Sequence, residues 1–562
     1  MAAARLPVDW LRARLYHVWR GSFLEKSFFL RYRRLFARFG ERGTLLVWLA
    51  IIGLAALLPY SQGLSGPFRF DDLANIVHNH ELRSVSVIRA FTDATEFSIK
   101  PGNWPYRPLT LLLNAVQLKI FGLDSAFGWH LFQILLHAMN SILVALVARR
   151  AFGLERGAVA AGLLFALAPI QTSSALYLSA GGPTLALAPA LGAILAFVSF
   201  MGTDKKKGAA VRLGAVVLLA GISFFCYEGA LALPAWLWVA ALAGGATVKE
   251  KKLYLGLAPV MAVAALYLLL RLHASPGDLL TGHQAIESDY SRFEQVLLQT
   301  QVPLKMAELF AWPGGLSFFH RPEAPTSIFD ARVVVRGLGL LALVGVIAAG
   351  WKMKALAGGL FWYLSALLPG MLVSLNMPWA EHRAYLALPG LAAALGFLWE
   401  RLENAMRRSK VRLSLTRGVA AAMLLLMATA GASRSALWSS PLGLYRDAVR
   451  KTPGFYGSWN LMAVEAETMR ANQKPKDPRP LCRSVLSCAN MAVKLEPGFA
   501  DAYNTKLNCL LILGRFEEAE SAVMKALELD PDNRQYRHNL EMMRKIREDF
   551  EKRRPEEAHS PR

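Results

Sequence analysis

Long apolar segments recur along this chain from residue 44 to residue 432, with shorter polar connections between them. An α-helix needs about 20 residues to cross the hydrocarbon core of a bilayer, and these segments are close to that length. The pattern therefore predicts an all-α, polytopic membrane helix bundle of about eleven spans. The predicted spans are residues 44–60, 127–149, 157–175, 183–201, 211–226, 229–245, 253–272, 332–350, 355–375, 384–400 and 413–432.

The connections between the predicted spans alternate between basic and nearly uncharged. Lysine and arginine concentrate in the cytoplasmic connections of membrane proteins, so the basic connections mark the cytoplasmic face. By this rule the N-terminus is cytoplasmic, while connections 61–126 and 273–331 and the region after residue 432 are extracytoplasmic. The basic connections contain Arg149, Arg150 and Arg156; Lys205, Lys206, Lys207 and Arg212; Lys249, Lys251 and Lys252; Lys352 and Lys354; and Arg401, Arg407, Arg408, Lys410 and Arg412.

The segment ahead of the first span, residues 1–43, interleaves arginines with leucine and aromatic residues. This composition predicts a basic amphipathic segment that lies on the anionic cytoplasmic leaflet. Two apolar runs in the extracytoplasmic connections, residues 109–121 and 296–312, are too short to span a bilayer. They predict helices that lie along the membrane surface.

The region after the last span contains an internal repeat. Residues 500–533 have the spacing of one tetratricopeptide unit of about 34 residues, and a related helix pair precedes it. We predict a tetratricopeptide-repeat α-solenoid over residues 433–545, followed by a polar tail, residues 546–562. Its groove, with Tyr503 and Asn504, would bind a peptide or partner helix, unless the stack is only a rigid packing module. The repeat pattern consists of Tyr503, Leu507, Gly514, Phe516, Ala519, Ala526 and Pro531.

The composition supports a membrane protein with a small additional domain. The chain has 562 residues, of which 54% are hydrophobic, and a formal net charge of +22. Because the basic residues lie mainly in short segments between apolar spans, the charge reports membrane topology, and we expect no nucleic-acid partner. The four cysteines lack the spacing of a zinc site, so no metal centre is predicted.

Two adjacent carboxylates, Asp71 and Asp72, follow the first predicted span. A carboxylate at a bilayer surface can act as general base on an acceptor hydroxyl that attacks a sugar, although such a pair is also typical of a solvated acidic turn. Arg107, between an aromatic residue and a proline, could bind a lipid phosphate through its forked guanidinium or anchor a helix at the interface. No cofactor is required, but the two carboxylates could also bind a divalent cation.

Taken together, several motifs resemble the tetratricopeptide-repeat membrane O-mannosyltransferases and their bacterial relatives, over about residues 44–533. These proteins are glycosyltransferases of the GT-C class, which take a sugar from a polyprenyl-phosphate carrier on the extracytoplasmic face. The motifs are Phe68-Arg69-Phe70-Asp71-Asp72 with Asn75 and Asn79, Tyr106-Arg107-Pro108-Leu109, Trp129-His130-Leu131-Phe132-Gln133 with Leu136-His137, Glu228 ahead of Leu233-Pro234, and Ala380-Glu381-His382-Arg383-Ala384-Tyr385-Leu386.

The resemblance implies that Asp71 or Asp72 is the catalytic carboxylate and that Arg107 and Arg383 bind the donor phosphate. One segment departs from the family pattern, because residues 168–183 lack the histidine, glutamate, arginine and aspartate that relatives carry in the outer turn. This difference predicts either another donor or acceptor or an inactive homologue. The resemblance also implies supporting polar roles for Asn75, His130, His137, Glu228, Glu381 and Tyr385.

The sequence therefore predicts a GT-C-like transmembrane glycosyltransferase domain, residues 44–432, in the inner membrane of a bacterium, with a periplasmic tetratricopeptide-repeat domain. Its expected partners are a polyprenyl-phosphate sugar donor, membrane lipids and a protein or peptide acceptor. The expected acceptor is a serine or threonine hydroxyl of a protein. Two alternatives remain open: transfer to a lipid or envelope polysaccharide, and a non-catalytic membrane scaffold whose repeats bind a partner.

Overall fold

The computed structural model describes residues 43–99, 105–275, 290–373, 375 and 377–558. The chain divides into two compact units, residues 1–52 and 53–562. All regular structure in the described ranges is helical, which confirms the predicted all-α class. Residues 1–42 of the predicted amphipathic segment and the last four residues of the predicted tail lie outside the described ranges.

The membrane region contains sixteen α-helices within the described part of the chain, joined by loops and short helical turns. Every predicted span coincides with one of these helices or with a pair of them. The helices are α1 (Gly43–Leu57), α2 (Val87–Thr92), α3 (Pro108–Phe121), α4 (Phe127–Arg150), α5 (Arg156–Leu167), α6 (Thr172–Leu176), α7 (Gly182–Met201), α8 (Lys206–Cys226), α9 (Leu233–Ala243), α10 (Lys251–Ala274), α11 (Arg292–Gln299), α12 (Val302–Ala311), α13 (Ala331–Ala349), α14 (Lys354–Met371), α15 (Leu388–Met406) and α16 (Lys410–Ser439).

Helix length and hydropathy support part of the predicted span count. Within the described residues six helices, α4, α7, α8, α10, α13 and α16, are long and apolar enough to cross a membrane. A seventh span results if α5 and α6 are taken as one bent segment. The membrane character of the chain is therefore clear, while the total of about eleven stays a prediction.

Proline accounts for two differences from the predicted helices. The span predicted at 157–175 bends by 49° between α5 and the helical turns that begin at Pro169. The run predicted at 296–312 is two helices, α11 and α12, and Pro303 lies in the first turn of the second. Proline lacks an amide N–H and is tolerated in a first helical turn, so each site ends one helix and starts another.

Close helix packing in the bundle depends on glycine at two crossings. A Cβ atom at Gly390 of α15 would lie 2.5 Å from the carbonyl oxygen of Gly359 on α14. Likewise, a Cβ atom at Gly396 would lie 2.3 Å from the carbonyl oxygen of Gly157 on α5. Small residues let membrane helices approach until their backbones touch. These two crossings hold α15 against α14 and α5, and they thereby fix the loop that precedes α15.

The C-terminal region is a stack of paired helices, and these match the predicted repeats. Helix α17 is the half repeat next to the last span, α18 and α19 form the earlier repeat, and α20, α21 and α22 form the repeat at residues 500–533. The last helix continues to Ala558, so residues 546–558 of the predicted tail are helical. The helices are α17 (Gly443–Lys451), α18 (Tyr456–Gln473), α19 (Arg479–Leu495), α20 (Ala500–Thr505), α21 (Leu507–Ile512), α22 (Phe516–Leu529) and α23 (Arg534–Ala558).

The repeat stack is attached directly to the loop that carries Asp71 and Asp72. Arg69, only 2% exposed, donates from Nε to the carbonyl oxygen of Trp438 over 3.2 Å. Its two terminal nitrogens donate to the carbonyl oxygens of Pro441 and Ser440 over 3.1 and 2.6 Å. Because these acceptors connect the last span to the first repeat helix, one buried guanidinium joins the loop to the stack.

Candidate active site

Three connections meet at one end of the helical region. The loop after α1 contacts the turn after α6 through the pairs Asp71 with Tyr177 and Asp72 with Ser179. The ring of His382, in the segment before α15, lies 6.0 Å from the ring of Tyr177. These connections are among those that the charge pattern placed on the extracytoplasmic face. The tertiary fold therefore brings the predicted carboxylates and the segment around Arg383 into one site.

Asp72 is a structural carboxylate. It is 1% exposed, and its two oxygens accept hydrogen bonds from the backbone N–H groups of Ser179 at 2.7 Å and Arg69 at 3.0 Å. Burial outweighs these two donors and, with a smaller contribution from Asp71, raises the pKa of Asp72 to about 7. A buried group with both oxygens occupied ties the loop to the turn after α6 and cannot reach a substrate.

Asp71 has the properties required of a general base. It is partly exposed, and its Oδ2 accepts a hydrogen bond of 2.7 Å from the hydroxyl of Tyr177. A general base must be oriented and must also be accessible to the proton that it removes. The two adjacent aspartates, equivalent in the sequence, are thus separated by their environments, and Asp71 is the candidate catalytic carboxylate.

The backbone at the two aspartates is unusual. Phe70 has a φ of 49°, in the left-handed region that a bulky residue rarely adopts. A π-helical turn, Leu73–Val77, begins directly after Asp72. Both features are enriched at functional sites because the surrounding structure must hold them in place. Here they direct Asp71 and Asp72 toward different neighbours.

Arg107 forms a two-pronged ion pair with Glu228. Its Nε and Nη2 donate to the two carboxylate oxygens over 2.8 and 2.6 Å, and the guanidinium lies 4.7 Å from the ring centre of Tyr227. The two side chains are 16% and 29% exposed. Both residues were predicted to belong to the site from separate motifs, and the structure shows that they act on one another.

This pair supplies a first prediction. Replacing Glu228 by glutamine leaves the partly buried guanidinium of Arg107 without its counter-charge, so we expect a lower unfolding temperature, equivalent to about 2–4 kcal/mol. The double variant Arg107→Met with Glu228→Gln should lose less than the sum of the single variants, by about 1–3 kcal/mol. Thermal unfolding of all four proteins in the same detergent measures this coupling. Additive losses would contradict a direct pair.

Arg383 is the second predicted phosphate ligand. It donates to the carbonyl oxygen of Met377 and lies within electrostatic range of Arg107, Glu228 and Tyr227. The adjacent His382 is surrounded by the same charges. Burial, followed by the charges of Arg383 and Arg107, lowers the pKa of His382 to about 3, so the imidazole is neutral near pH 7. The fixed positive charge of this region therefore comes from arginine.

Two of the predicted supporting residues form a buried network between helices. His137 Nε2 lies 3.2 Å from the carbonyl oxygen of Ala166, so it carries the proton. His137 Nδ1 then accepts from the hydroxyl of Tyr385 over 2.9 Å. Asn140 donates to that same hydroxyl over 3.2 Å. These contacts join α4 to the start of α15 and give His137 and Tyr385 a structural role.

The other supporting residues also hold loops. His130 contacts the carbonyl oxygen of Gly66 at 3.1 Å, close to the start of the aspartate loop. Glu381 is 4% exposed and accepts from the backbone N–H of Ser317 at 2.7 Å and from His320 Nε2 at 2.8 Å. Asn75 is buried in the π-helical turn. The predicted set thus surrounds the site and fixes its connections.

Sequence reasoning missed the most direct partners of the aspartates. The turn after α6 lacks the polar residues that the resemblance led us to expect, yet it supplies the hydroxyl of Tyr177 and the backbone N–H of Ser179. A tyrosine in an apolar stretch gives no periodic or motif signal, and a backbone donor gives none at all. Arg69 was part of a motif, but its acceptors lie roughly 370 residues away in the chain.

The two residues predicted for the repeat groove lie in different environments. Tyr503 lines a cavity of about 440 Å³, together with Leu486, Asn490 and Lys506. Asn504 is not part of that lining, since its side-chain oxygen accepts from Asn539 of the terminal helix over 2.8 Å. Of the two predicted groove residues, Tyr503 lines the cavity, whereas Asn504 stabilises the stacking of α23.

No cluster of three or more histidine, cysteine, aspartate or glutamate side chains suited to a metal ion occurs in the described ranges. The prediction that no metal is required concerns the reaction itself and stays a prediction. Its chemical basis is that Arg107 and Arg383 already bring two positive charges to the site.

Comparisons with known proteins agree with these motifs. The family model for the tetratricopeptide repeat matches residues 500–533, as predicted. The mouse Protein O-mannosyl-transferase TMTC4 is 28% identical over 202 residues, which cover 30% of this chain and 26% of the mouse protein. The Drosophila melanogaster Protein O-mannosyl-transferase Tmtc2 is 27% identical over 311 residues, covering 52% of this chain and 32% of the fly protein. The chain thus spans about a quarter to a third of these relatives.

Two solved structures align with this chain at TM-scores below 0.5. The archaeal oligosaccharyltransferase AglB from Archaeoglobus fulgidus aligns with a TM-score of 0.43 and 15% identity over 70% of this chain and 56% of that protein. ArnT from Cupriavidus metallidurans aligns with a TM-score of 0.37 and 15% identity over 86% of this chain and 80% of that protein. In sequence, the chain is similar to the protein O-mannosyl-transferases, and it carries a tetratricopeptide repeat.

Proposed function

We propose that this protein is a membrane glycosyltransferase that moves a sugar from a polyprenyl-phosphate carrier to a hydroxyl group of a protein. The observation that carries the proposal is the placement of Asp71. It is a partly exposed carboxylate, oriented by a buried tyrosine and located in the same site as Arg107 and Arg383. The sequence similarity to protein O-mannosyl-transferases supports the same class of reaction and a serine or threonine acceptor.

The proposed step is a direct displacement at the anomeric carbon. Asp71 removes the proton of the acceptor hydroxyl while the hydroxyl oxygen forms its bond to that carbon. The bond between the anomeric carbon and the phosphate oxygen breaks, and its electron pair stays on the phosphate. Asp71 afterwards releases the proton to solvent, which restores the carboxylate for the next turnover.

Arg107 and Arg383 are proposed to bind the phosphate of the carrier. Together with Glu228, the two arginines carry a net charge of about +1 near neutral pH. A glycosylated carrier phosphate carries one negative charge, and the departing phosphate gains a second. Arg107 is held by Glu228, and Arg383 lies within electrostatic range of both, so the two arginines together supply the positive potential. Fixed positive groups stabilise the negative charge that develops on the departing phosphate most strongly where the surrounding dielectric constant is low.

The proposed orientation of the protein is the one that the charge pattern predicts. The contacts of Arg69 place the repeat stack and the aspartate loop at the same end of the bundle. With the basic connections in the cytoplasm, both lie on the extracytoplasmic face, and the membrane is the proposed inner membrane of a bacterium. We propose that the repeat stack presents a protein acceptor to Asp71.

Intact-mass analysis of envelope proteins tests the proposed activity. Cells that carry the wild-type protein should contain at least one protein whose mass is larger by one hexose or a related sugar than in cells without it. The matched control is a strain that carries Asp71→Asn at the same membrane abundance, which should resemble the deletion strain. Identical protein masses in all three strains would overturn transfer to protein and direct attention to lipids and polysaccharides.

A further inference from the structure

We propose that Tyr177 is a positioning residue of the transfer reaction, which orients the Asp71 carboxylate and favours its ionised form. This inference rests on the proposed function, because it concerns the base that the function assigns. Tyr177 belongs to the turn after α6, where the family motif had suggested that the polar groups were lost. The structure assigns a role to that turn which does not depend on the missing residues.

The contact itself is short and has a defined direction. The hydroxyl of Tyr177 lies 2.7 Å from Oδ2 of Asp71. A carboxylate only accepts, so the phenol is the donor. Burial, with the nearby charges of Asp71 and Asp72, raises the pKa of Tyr177 well above its ordinary value. The hydroxyl therefore keeps its proton and remains a donor throughout the pH range in which an enzyme works.

The tyrosine ring is held from several sides, so its hydroxyl has little freedom. Tyr177 is 5% exposed. Its ring centre lies 5.8 Å from that of Phe318, 6.0 Å from that of Trp438 and 6.3 Å from that of Phe70. These aromatic residues come from three separate parts of the chain. A hydroxyl fixed in this way acts as a preorganised donor, and its energetic value is larger than that of a mobile one.

A hydrogen bond to an ionised carboxylate favours the charged form over the neutral one. Loss of the Tyr177 donor should therefore make Asp71 harder to ionise. Among the described residues, the titratable and charged groups that face this pair include Asp72 on the same loop, His382 and Arg383 ahead of α15, and Tyr445 on α17. Substitution of Tyr177 by phenylalanine leaves all of these in place, so it isolates the contribution of one hydroxyl.

The experiment compares Tyr177→Phe with wild type in a sugar-transfer assay on the full-length protein in detergent. We expect kcat to fall about tenfold or more, with KM for donor and acceptor unchanged, because a hydrogen bond to a charged group is lost at one reacting atom. The acidic limb of the rate profile should move to higher pH. A matched control is Tyr60→Phe, which removes a buried hydroxyl that donates over 2.9 Å to the carbonyl oxygen of Ala168 and contacts no carboxylate. This control should leave the acidic limb unchanged.

Two further variants make the outcome decisive. Incorporation of 3-fluorotyrosine at position 177 gives a stronger donor and should move the acidic limb to lower pH, even if Tyr177→Phe fails to fold. Wild-type kcat and an unmoved limb in both Tyr177 variants would overturn the inference. Asp71→Asn distinguishes the base from its positioning residue: full activity in Asp71→Asn would refute the proposed role of Asp71 as the base, whereas an inactive Asp71→Asn with an unaffected Tyr177→Phe would refute only the role of Tyr177.

Discussion

Replacing Asp71 by asparagine should lower the rate of sugar transfer by about 10²- to 10⁴-fold, the range that a positioned general base contributes. Asparagine has nearly the same shape, and its side-chain oxygen can still accept the hydrogen bond from Tyr177. The substitution therefore removes the base and its charge while it leaves the loop in place. Initial rates with a polyprenyl-phosphate sugar and a peptide acceptor measure the effect, and the unfolding temperature should stay within a few degrees of wild type.

The matched control is Asp72→Asn, in which the neighbouring carboxylate is changed in the same way. Asparagine offers one acceptor oxygen where Asp72 uses two, so a backbone N–H of Ser179 or Arg69 loses its partner. We expect a loss of stability of about 1–3 kcal/mol, with most of the activity retained by the protein that stays folded. An inactive but fully stable Asp72→Asn, beside an active Asp71→Asn, would reverse the two roles.

Replacing Arg69 by methionine should have the largest effect on stability. The guanidinium satisfies the carbonyl oxygens of Trp438, Ser440 and Pro441, and it lies 3.6 Å from the carboxylate of Glu465. Methionine fills much of the same volume but leaves these acceptors without a donor, at a cost of about 3 kcal/mol or more. We expect a lower unfolding temperature, faster proteolysis at the junction near residue 440 and loss of transfer, because the aspartate loop is no longer held.

Arg470→Met provides a control for the loss of an arginine from the repeat stack. Arg470 pairs with Glu467 of its own helix over 2.7 Å, near the second repeat and without contact to the aspartate loop. Because Glu467 still accepts a hydrogen bond from Asn508, the replacement should cost about 1–2 kcal/mol, less than Arg69→Met, and should not change transfer. If Arg69→Met has no larger effect than Arg470→Met, the connection between loop and stack is not a structural requirement.

The contacts that join Arg69 to the repeat stack also affect which experiment can identify the acceptor. Removal of residues 440–562 would appear to separate a protein acceptor, which needs the repeats, from a lipid or polysaccharide acceptor. However, the same deletion removes the carbonyl groups of Ser440 and Pro441 that hold Arg69. The aspartate loop should then be disrupted for any acceptor. Single substitutions in the cavity around Tyr503 are the better test, because the residues that line the cavity are not among the hydrogen-bond or ion-pair partners of Arg69.

Most of the fold could be predicted because its causes are local. A membrane helix must satisfy its backbone hydrogen bonds within its own segment, so length and hydropathy alone mark it in the sequence. The repeat at residues 500–533 is likewise set by small and aromatic residues at fixed spacing, and the prediction is confirmed. The bend at Pro169 and the break before Pro303 were less visible, since proline in an apolar run is compatible with a straight, kinked or interrupted helix.

The sequence by itself determined the helical membrane bundle, the repeat stack and the candidate carboxylates and arginines. Only the tertiary structure decided between Asp71 and Asp72, because the difference is one of burial and of donors from the distant turn at residues 177–179. It also decided that Arg107 is paired with Glu228 and that Arg69 joins the loop to the repeats. Ionisation and access depend on desolvation and on neighbours brought together from far apart in the chain, and no local pattern of residues encodes either.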